Sequence, residues 1–517
     1  MTVRDIMKKI AITSALVCAV PLAAGADGTA ENTKKLNVYY SNWSIYSPLH
    51  QNQEVSQLPW DRLSTINHAF WNVEPNADKT EFPIKTSDEW SDLRPGGAFD
   101  QYAEMTELYP DVDVVLSIGG WGGQWFSLMA STPENRASFI QSCVDTMTQY
   151  PFLNGIDVDW EYPGTSRNGE GPGFVGSNKD KETFTLLCKE MREGFDAAGF
   201  EDAIITFCAS TSVGSYRSGS IALDFAAVAP YVDRINIMTY DMSGPWSGQI
   251  IHHSALYPGK YTAGNSSASE AAEYLISLGV DPGKINLGSP LYSHGWVVKA
   301  EDGEDALGKP SRQVGFGTMN NGQMYWHELK QLENTPGWET GYDEEAGAAY
   351  LYNNDPASGF YGQFYSYESE RSLQAKLDYI NEMGLGGLIV WDTPGDRVDA
   401  GFPMLSQMAK GLGIYDGDVP VYNAQAFVGG PPDPAQPVAL PDDEKPSPED
   451  EPPPAAGEDA VSSPEPEQPS PEPAENSPAK PEEPSAPMRI SPIVWIGAGI
   501  VLVAGAVLGI VLKNRKP

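Results

Sequence analysis

Short apolar stretches alternate with amphipathic helical patterns along most of the chain, from residue 36 to residue 391. A continuously apolar stretch predicts a β-strand that is buried on both faces, as in a parallel sheet covered by helices. Helical patterns separate most of these stretches, for instance at residues 134–149, 179–198 and 372–383. The predicted strands lie at residues 36–40, 65–70, 112–118, within 153–163 (a short strand that runs into a loop), 204–209, 234–238, 285–288 and 387–391.

This alternation predicts an α/β fold. Eight strand–helix units over roughly 380 residues fit a closed (β/α)8 barrel. An open, doubly wound sheet is the alternative, but no G-x-G-x-x-G motif follows the first strand. The interval between the seventh and eighth strands is too long for one helix. We therefore expect a small α+β insertion at about residues 296–362, with a helix near 324–332 and a strand near 360–365.

The two ends of the chain differ from this body in composition. Residues 1–26 combine a basic start, an apolar run and a small-residue cleavage site, which is typical of a secretory signal peptide. Residues 493–512 carry no charge and are long enough to span a bilayer, and the basic tail at 513–517 predicts a cytoplasmic end. A buried core helix is the less favoured alternative for this run.

Residues 416–492 are rich in proline and acidic residues, which predicts a disordered, extended linker. The expected domain is therefore 34–415, exported and held at the extracellular face of the cell membrane by its C-terminal span. We expect this domain to be monomeric. A net charge of −37 argues against nucleic acid as a partner.

Cysteine and histidine usage points away from disulfides and metals. The predicted mature chain keeps Cys143, Cys188 and Cys208, an odd number in helical and strand patterns, which predicts buried free thiols. No C-x-x-C or H-E-x-x-H motif occurs, and we expect that the six histidines do not cluster as ligands would. We therefore expect neither a metal site nor a cofactor.

The fourth predicted strand carries the clearest chemical pattern. Asp157, Asp159 and Glu161 alternate with apolar residues and so share one face of the strand. An exposed edge strand with an acidic face would explain the alternation alone. However, the row lies at the C-terminal end of its strand, where α/β barrels place their chemistry. Because close carboxylates repel each other, we expect Asp157 and Asp159 to share a proton and nearby negative charge to keep Glu161 protonated.

The string from Asn154 to Glu161 resembles the D-G-x-D-x-D-W-E signature of the family-18 glycoside hydrolases, the chitinase family, with Asn154 in place of Asp. Two further strand ends support the resemblance. Residues 117–120 match the family's S-x-G-G motif, and residues 238–246 resemble its M-T-Y-D-x-x-G-P-W run. The resemblance covers about residues 36–414. One departure is His294, which stands where the family usually has arginine, and it puts the neighbouring subsites in doubt.

The resemblance implies hydrolysis of β-1,4 linkages between N-acetylglucosamine units, with retention and without a cofactor. Glu161 would protonate the glycosidic oxygen while the substrate's own acetamido group attacks the anomeric carbon. Asp159 would hold the acetamido N–H, and Asp157 would lie beneath it. Tyr240 would orient the acetamido carbonyl, and Asp241 would be a second acid over the sugar. Substrate binding is assigned to Trp391, Trp121, Trp246, Tyr39, Met238, Tyr292, Phe70, Ser117 and Gly120.

Two other functions remain open. An endo-β-N-acetylglucosaminidase that acts on N-glycans would share the barrel and the mechanism. A non-catalytic chitin-binding lectin would share only the barrel. Such lectins lose the terminal acid of the row, and Glu161 is present.

Overall fold

A computed structural model describes residues 34–428 apart from residues 168, 265, 301–302 and 321. The predicted signal peptide, most of the predicted linker, the predicted span at 493–512 and the tail at 513–517 lie outside these residues. Among the helices that are described, none is both long and apolar enough to cross a membrane.

Parallel strands close into a ring and confirm the predicted (β/α)8 barrel. Within the described residues the strands are β1 (Lys35–Ser41), β2 (Thr65–Val73), β3 (Ile84–Thr86), β4 (Asp113–Gly119), β5 (Leu153–Asp159), β6 (Ile204–Ser210), β7 (Arg234–Met238), β8 (Ile285–Pro290), β9 (His294–Val297), β10 (Trp338–Asp343), β11 (Ala348–Asn353), β12 (Gln363–Tyr367) and β13 (Gly387–Trp391). The hydrogen-bonded order of the ring is β1-β13-β8-β7-β6-β5-β4-β2, and β2 pairs again with β1 to close the barrel.

Helices pack outside the ring. Those of the described residues are α1 (Glu89–Leu93), α2 (Ala98–Leu108), α3 (Phe126–Ala130), α4 (Pro133–Gln149), α5 (Asp180–Ala197), α6 (Val213–Ser218), α7 (Phe225–Val228), α8 (Ala268–Ser277), α9 (Gly303–Ala306), α10 (Trp326–Glu333), α11 (Glu370–Met383) and α12 (Pro403–Gly411). Local sequence sets their ends. The Thr132 hydroxyl accepts the Asn135 N–H at the start of α4, and Gly384 ends α11 in the left-handed conformation.

The main core lies between the ring and the helices. Ile156 and Val158 of β5 are buried in it, whereas the acidic residues between them face the interior of the barrel, where Asp157 meets side chains from several other strands. Cys143 and Cys188 are buried in this core, and Cys208 lies inside the barrel. All three are free thiols, as predicted.

The insertion between β8 and β13 is an antiparallel sheet in the order β10-β11-β12-β9, accompanied by α9 and α10. It is larger than predicted. The sheet begins at His294 and ends at Tyr367, beyond the expected limits of 296 and 362. The reason is the pairing of β12 with β9, through which the returning strand belongs to the insertion and not to the barrel.

The start of the predicted linker is part of the folded body. Tyr422 packs against Trp326 with ring centroids 6.0 Å apart, and Phe427 packs against Phe316 and Phe360. The Phe427 N–H also donates to the Thr335 hydroxyl at 2.8 Å. The prediction that disorder begins at residue 416 is therefore wrong for residues 416–428, because their aromatic side chains are anchored on the insertion. We call residues 416–428 the C-terminal strap.

Candidate active site

Asp157 lies near the middle of the barrel and is completely buried on β5. Its carboxylate accepts hydrogen bonds from Tyr39 at 2.9 Å, from Ser117 at 2.7 Å and from the Thr206 hydroxyl. Asn236 adds a longer contact at 3.4 Å. These donors come from four different strands of the ring. Burial raises the pKa of Asp157, and the hydrogen bonds from Thr206, Ser117 and Tyr39 oppose that increase.

Asp159 lies two residues further along β5 and is almost as buried, but its surroundings differ. Its Oδ1 atom is buried and has no hydrogen-bond partner among the described residues. Burial, together with the nearby charges of Glu161 and Asp157, raises its pKa well above the usual value. Both shifts favour the protonated forms of these carboxyl groups, which is the direction that proton sharing between Asp157 and Asp159 needs.

Glu161 follows the end of β5 and reaches the wall of a cavity at the barrel mouth. Its pKa is raised to about 7, chiefly by burial and less by the charge of Asp241, while Tyr162 and Arg167 lower it. The sequence-based expectation named nearby negative charge as the cause, but burial is the larger effect. A carboxyl group with this pKa can donate a proton near neutral pH.

The C-terminal end of β7 brings a phenol and another acid to the same mouth. Tyr240 is buried, and burial raises its pKa well above the usual value, so that it is a neutral donor. Asp241 has the left-handed φ of 54° and a side chain that is 50% exposed. Its Oδ1 atom accepts a hydrogen bond from the Tyr292 hydroxyl at 2.5 Å.

Two histidines complete the surroundings of Asp241. His294 places Nε2 2.7 Å from Asp241 Oδ1, and His253 Nδ1 lies 4.0 Å from the same atom. Burial alone would raise the pKa of Asp241, but the hydrogen bond and charge of His294 and the charge of His253 lower it. The expectation that the histidines do not cluster is wrong for this pair, because the segments after β7 and β8 bring together residues that are distant in sequence.

The cavity has a volume of about 430 Å³ and opens at the barrel mouth. Trp391, at the end of β13, forms part of an aromatic surface. Its ring stacks on Phe70 at 5.6 Å and tilts against Tyr39 at 5.7 Å. The lining residues are Tyr39, Trp43, Phe70, Asn72, Ser87, Gly119, Trp121, Gly122, Asp159, Glu161, Cys208, Met238, Tyr240, Asp241, Tyr292 and Trp391.

Four predicted site residues do not line this cavity. Asp157 and Ser117 lie beneath it and hydrogen-bond to each other. Gly120 packs beside Phe70, where an added Cβ atom would lie 2.7 Å from the ring. Trp246 is 61% exposed and meets the ring of His294 edge-on at 4.8 Å, so it stands outside the cavity.

Several cavity residues carried no predicted role. Trp43 follows β1 closely, and an aromatic residue just after a strand end was an available signal. Asn72 and Ser87 had no such signal, because they reach the cavity through β2 and the turn after β3.

Cys208 on β6 approaches the Tyr39 hydroxyl at 3.0 Å. Cys208 also contacts the Asp157 carboxylate, at 3.8 Å. Thr206 and Asn236, which hydrogen-bond to Asp157 beneath the cavity, were likewise missed by sequence reasoning.

The arrangement combines one proton donor with polar groups that can hold a substrate. Glu161 can transfer a proton to a leaving oxygen, and Asp159 offers an unpartnered oxygen to a polar group of a substrate. Tyr240 can donate to a carbonyl. The flat aromatic rings of Trp391 and Trp121 suit the apolar faces of sugar rings. Trp121 is 64% exposed, and the Arg167 guanidinium lies 4.5 Å from its ring centroid.

The chain matches the family model described as glycosyl hydrolases family 18 over residues 35–396. It is similar to Chitinase A1 of Niallia circulans, with 29% identity over 73% of this chain and 59% of the relative. It is also similar to Chitinase A of Pseudoalteromonas piscicida, with 25% identity over 76% of this chain and 54% of the relative. The chain thus spans less than two thirds of the length of these two relatives.

A solved structure shows the same fold. The Group IV chitinase of Ostrinia furnacalis in complex with allosamidin aligns with 26% identity and a TM-score of 0.65. The alignment covers 74% of this chain and 99% of that chain.

Proposed function

The chain belongs to glycosyl hydrolase family 18, and from this premise we propose that it is a chitinase that cleaves β-1,4 linkages between N-acetylglucosamine units. The observation that carries the proposal is Glu161, whose pKa of about 7 suits a general acid on the wall of an aromatic-lined cavity. The names of the two similar bacterial proteins give the substrate class.

In the proposed first step, Glu161 donates its proton to the glycosidic oxygen, and the bond from that oxygen to the anomeric carbon breaks. The carbonyl oxygen of the substrate's own 2-acetamido group forms a new bond to the anomeric carbon and gives a cyclic oxazolinium ion. This intramolecular attack has a high effective concentration. The ionised Glu161 then takes a proton from water, whose oxygen opens the ring with retention.

The two interior acids would control the charge of this intermediate. Asp159 has the free oxygen that an acetamido N–H needs, and the pair with Asp157 would share a proton in the free enzyme. When the substrate N–H displaces this proton toward Asp157, Asp159 becomes an anion beside the developing positive charge. Tyr240, as a neutral phenol, would orient the acetamido carbonyl, and Asp241 would lie over the sugar.

Partially deacetylated chitosan tests the mechanism. If the acetamido group is the nucleophile, the sugar on the non-reducing side of each cut must carry it. Every new reducing end should then be N-acetylglucosamine. Glucosamine at new reducing ends in more than trace amounts would mean that a protein carboxylate attacks instead.

A time course on chitin hexamer, followed by mass, tests the substrate class. Shorter N-acetylglucosamine oligomers are the expected products. Release of an intact N-glycan from a glycoprotein, with the hexamer left uncut, would favour the endo-β-N-acetylglucosaminidase. Binding of the hexamer without any cleavage would favour a lectin, which the presence of Glu161 argues against.

The location of the enzyme is a further part of the proposal. We propose that residues 1–26 direct export and that residues 493–512 anchor the enzyme at the extracellular face of the cell membrane. The support is the sequence pattern of these segments. The test is expression of residues 1–489, which should be secreted with unchanged specific activity. Recovery of this form in the membrane fraction would mean that another segment holds the protein there.

A further inference from the structure

Asp241, His253 and His294 form a compact group of ligand atoms at the mouth of the barrel. One carboxylate oxygen and one nitrogen from each histidine all lie within 4.8 Å of one another. The three residues come from the segments that follow β7 and β8. Both histidines are buried, whereas the Asp241 side chain is half exposed. The group therefore has two buried members and one that is open to the cavity.

A second observation points to a ligand. Both ring nitrogens of His253 are buried and have no hydrogen-bond partner among the described residues. The His253 ring is held by its neighbours, since its centroid lies 5.5 Å from that of Tyr292 and 5.1 Å from that of His294. Its backbone N–H also donates to the Ser366 hydroxyl at 3.1 Å. A fixed, buried and unpartnered imidazole costs stability unless something binds to it.

We propose that Asp241, His253 and His294 bind one divalent transition-metal ion, of the kind that prefers imidazole nitrogen, such as Zn²⁺ or Cu²⁺. Imidazole and carboxylate are ordinary ligands of both ions. His294 would bind through Nε2 and His253 through Nδ1, the nitrogens that lie 2.7 and 4.0 Å from Asp241 Oδ1. A water molecule from the cavity would complete the coordination.

The required movement is small. Zinc–nitrogen bonds of about 2.1 Å place tetrahedral ligand atoms about 3.4 Å apart. The distance from His253 to Asp241 must therefore shorten, and the distance from His294 to Asp241 must lengthen, each by less than about 1 Å. The two histidine nitrogens, which lie within 4.8 Å of each other, must approach by up to about 1.4 Å. The exposed carboxyl group of Asp241 can make its part of this adjustment, and small rotations of the two imidazole rings make the rest. The Tyr292 hydroxyl can continue to hydrogen-bond to the carboxylate, as metal-bound carboxylates usually require.

The residue at position 294 makes the site a property of this chain. The family signature usually has arginine there, and a guanidinium is not a metal ligand at neutral pH. Arginine would instead pair with Asp241. Histidine at position 294 thus replaces the positively charged guanidinium of arginine with an imidazole that can bind a metal ion from solution.

The expected consequence rests on the proposed function: the ion inhibits the enzyme. Asp241 lines the same cavity as Glu161 and Asp159. A metal ion on its carboxylate would hold Asp241 at the two histidines and would put positive charge beside the cavity. The charge of Asp241, which raises the pKa of Glu161, would be neutralised. Micromolar Zn²⁺ should therefore lower the rate of chitin-oligomer cleavage reversibly, and EDTA should restore it.

The test is calorimetric titration of the untagged full-length protein with Zn²⁺, which needs no substrate and is thus independent of the chitinase proposal. We expect one site, and at least tenfold weaker binding in His294→Arg and in His253→Asn. His327→Gln is the matched control, since His327 lies on α10 and bonds to the Gly395 carbonyl. With Cu²⁺, paramagnetic resonance should show coupling to two imidazole nitrogens, and to fewer in His294→Arg.

The outcomes separate clearly. Absence of Zn²⁺ binding, or binding that is equal in wild type and His294→Arg, overturns the proposal. His253→Asn changes a buried residue, so its thermal unfolding is measured first, and His294→Arg decides the question if that variant does not fold. Zn²⁺ binding that depends on His294 in a protein without chitinase activity would support the site and contradict the proposed function instead.

Discussion

Asp157 and Asp159 occupy neighbouring inward positions on one strand, and both are buried, but they differ in their partners. Asp157, at the interior end of the site, accepts hydrogen bonds from Tyr39, Ser117 and Thr206. Asp159, at the mouth end, has an oxygen without a partner among the described residues. Burial penalises the charge of both. Hydrogen bonds oppose this penalty strongly at only one of them.

The difference separates a carboxylate that holds strands together, and meets the substrate only through its neighbour, from one that faces the substrate directly. A buried carboxylate with its hydrogen bonds satisfied holds strands together, and removal of its charge leaves donors unpaired. A buried carboxylate with a free oxygen is poised to bind a substrate, and it contributes little to folding. Glu161 stands further along the same row, where the wall of the cavity gives it access to substrate.

The largest expected effect is at the mouth end. Glu161→Gln keeps the shape of the side chain but removes the transferable proton. We expect kcat to fall by about a hundred- to ten-thousandfold. Binding of chitin hexamer, measured by calorimetry, should change little. The exposed Asp145→Asn on α4 is the control for expression and folding. Activity above about a tenth of wild type in Glu161→Gln would mean that Glu161 is not the general acid.

Substitution of Asp157, at the interior end of the acidic row, should mainly lower the free energy of unfolding. Asp157→Asn places an amide where three hydroxyl groups donate, so the free energy of unfolding should fall by about 3 kcal/mol. Asp159→Asn, measured by the same urea denaturation, should change it by less than about 0.5 kcal/mol, because Asp159 Oδ1 has no partner among the described residues and the hydrogen bond with the Cys208 thiol is a weak one. Equal losses of the free energy of unfolding in the two variants would show that Asp157 and Asp159 contribute alike to folding, which contradicts the difference drawn above.

For Asp159, at the mouth of the barrel, we expect a large effect on kcat in place of an effect on stability. Asp159→Asn should lower kcat by about a hundredfold while the dissociation constant of chitin hexamer changes by less than about threefold. The reason is that the interaction of Asp159 strengthens as positive charge develops on the sugar. Parallel losses of affinity and kcat would show that Asp159 binds the ground state just as strongly.

The pH profile gives a smaller effect. Glu161 is active when protonated and its pKa is about 7, so kcat/KM should fall tenfold per pH unit above about pH 7. The charge of Asp241 raises this pKa. Asp241→Asn, assayed with EDTA, should therefore move the alkaline limb to lower pH. A limb that stays in place, or moves to higher pH, would contradict the coupling between Asp241 and Glu161.

The smallest expected change is Ser117→Ala, which removes one of the donors to Asp157. The free energy of unfolding should fall by about 1 kcal/mol. The chitin-hexamer dissociation constant should stay within twofold of wild type, because Ser117 does not line the cavity. A large loss of affinity with normal stability would place Ser117 in the binding surface after all.

Local patterns predicted the barrel well. Each strand of the ring, such as β5 and β13, is a short apolar run whose burial follows from its own residues. The in-register pairing of β4 with β5 then places Ser117 opposite Asp157, where its hydroxyl donates to the carboxylate.

Contacts between distant segments could not be predicted in this way. His253 and His294 meet because a loop after β7 folds toward the start of the insertion, and neither position has a periodic pattern. The unpartnered Oδ1 atom of Asp159 could not be predicted either. It depends on the hydroxyl groups of Tyr39, Ser117 and Thr206, on three other strands, all donating to Asp157 and not to Asp159. The insertion extends past its expected limit of residue 362 for the same reason: the pairing of β12 with β9, a contact between distant segments, places residues 363–367 in its sheet.

The C-terminal strap has a mechanical consequence. The described chain ends at Val428, next to Phe427, whose ring rests on Phe316 and Phe360 of the insertion. If the proposed anchor lies further along the chain, any tension between the membrane and an insoluble substrate is applied at this point. The force would act first on the contacts between the strap and the insertion. The contacts of Phe427 and then those of Tyr422 would break before the force reached the barrel. The strap would then work as a sacrificial attachment that spares the strand carrying the catalytic acids.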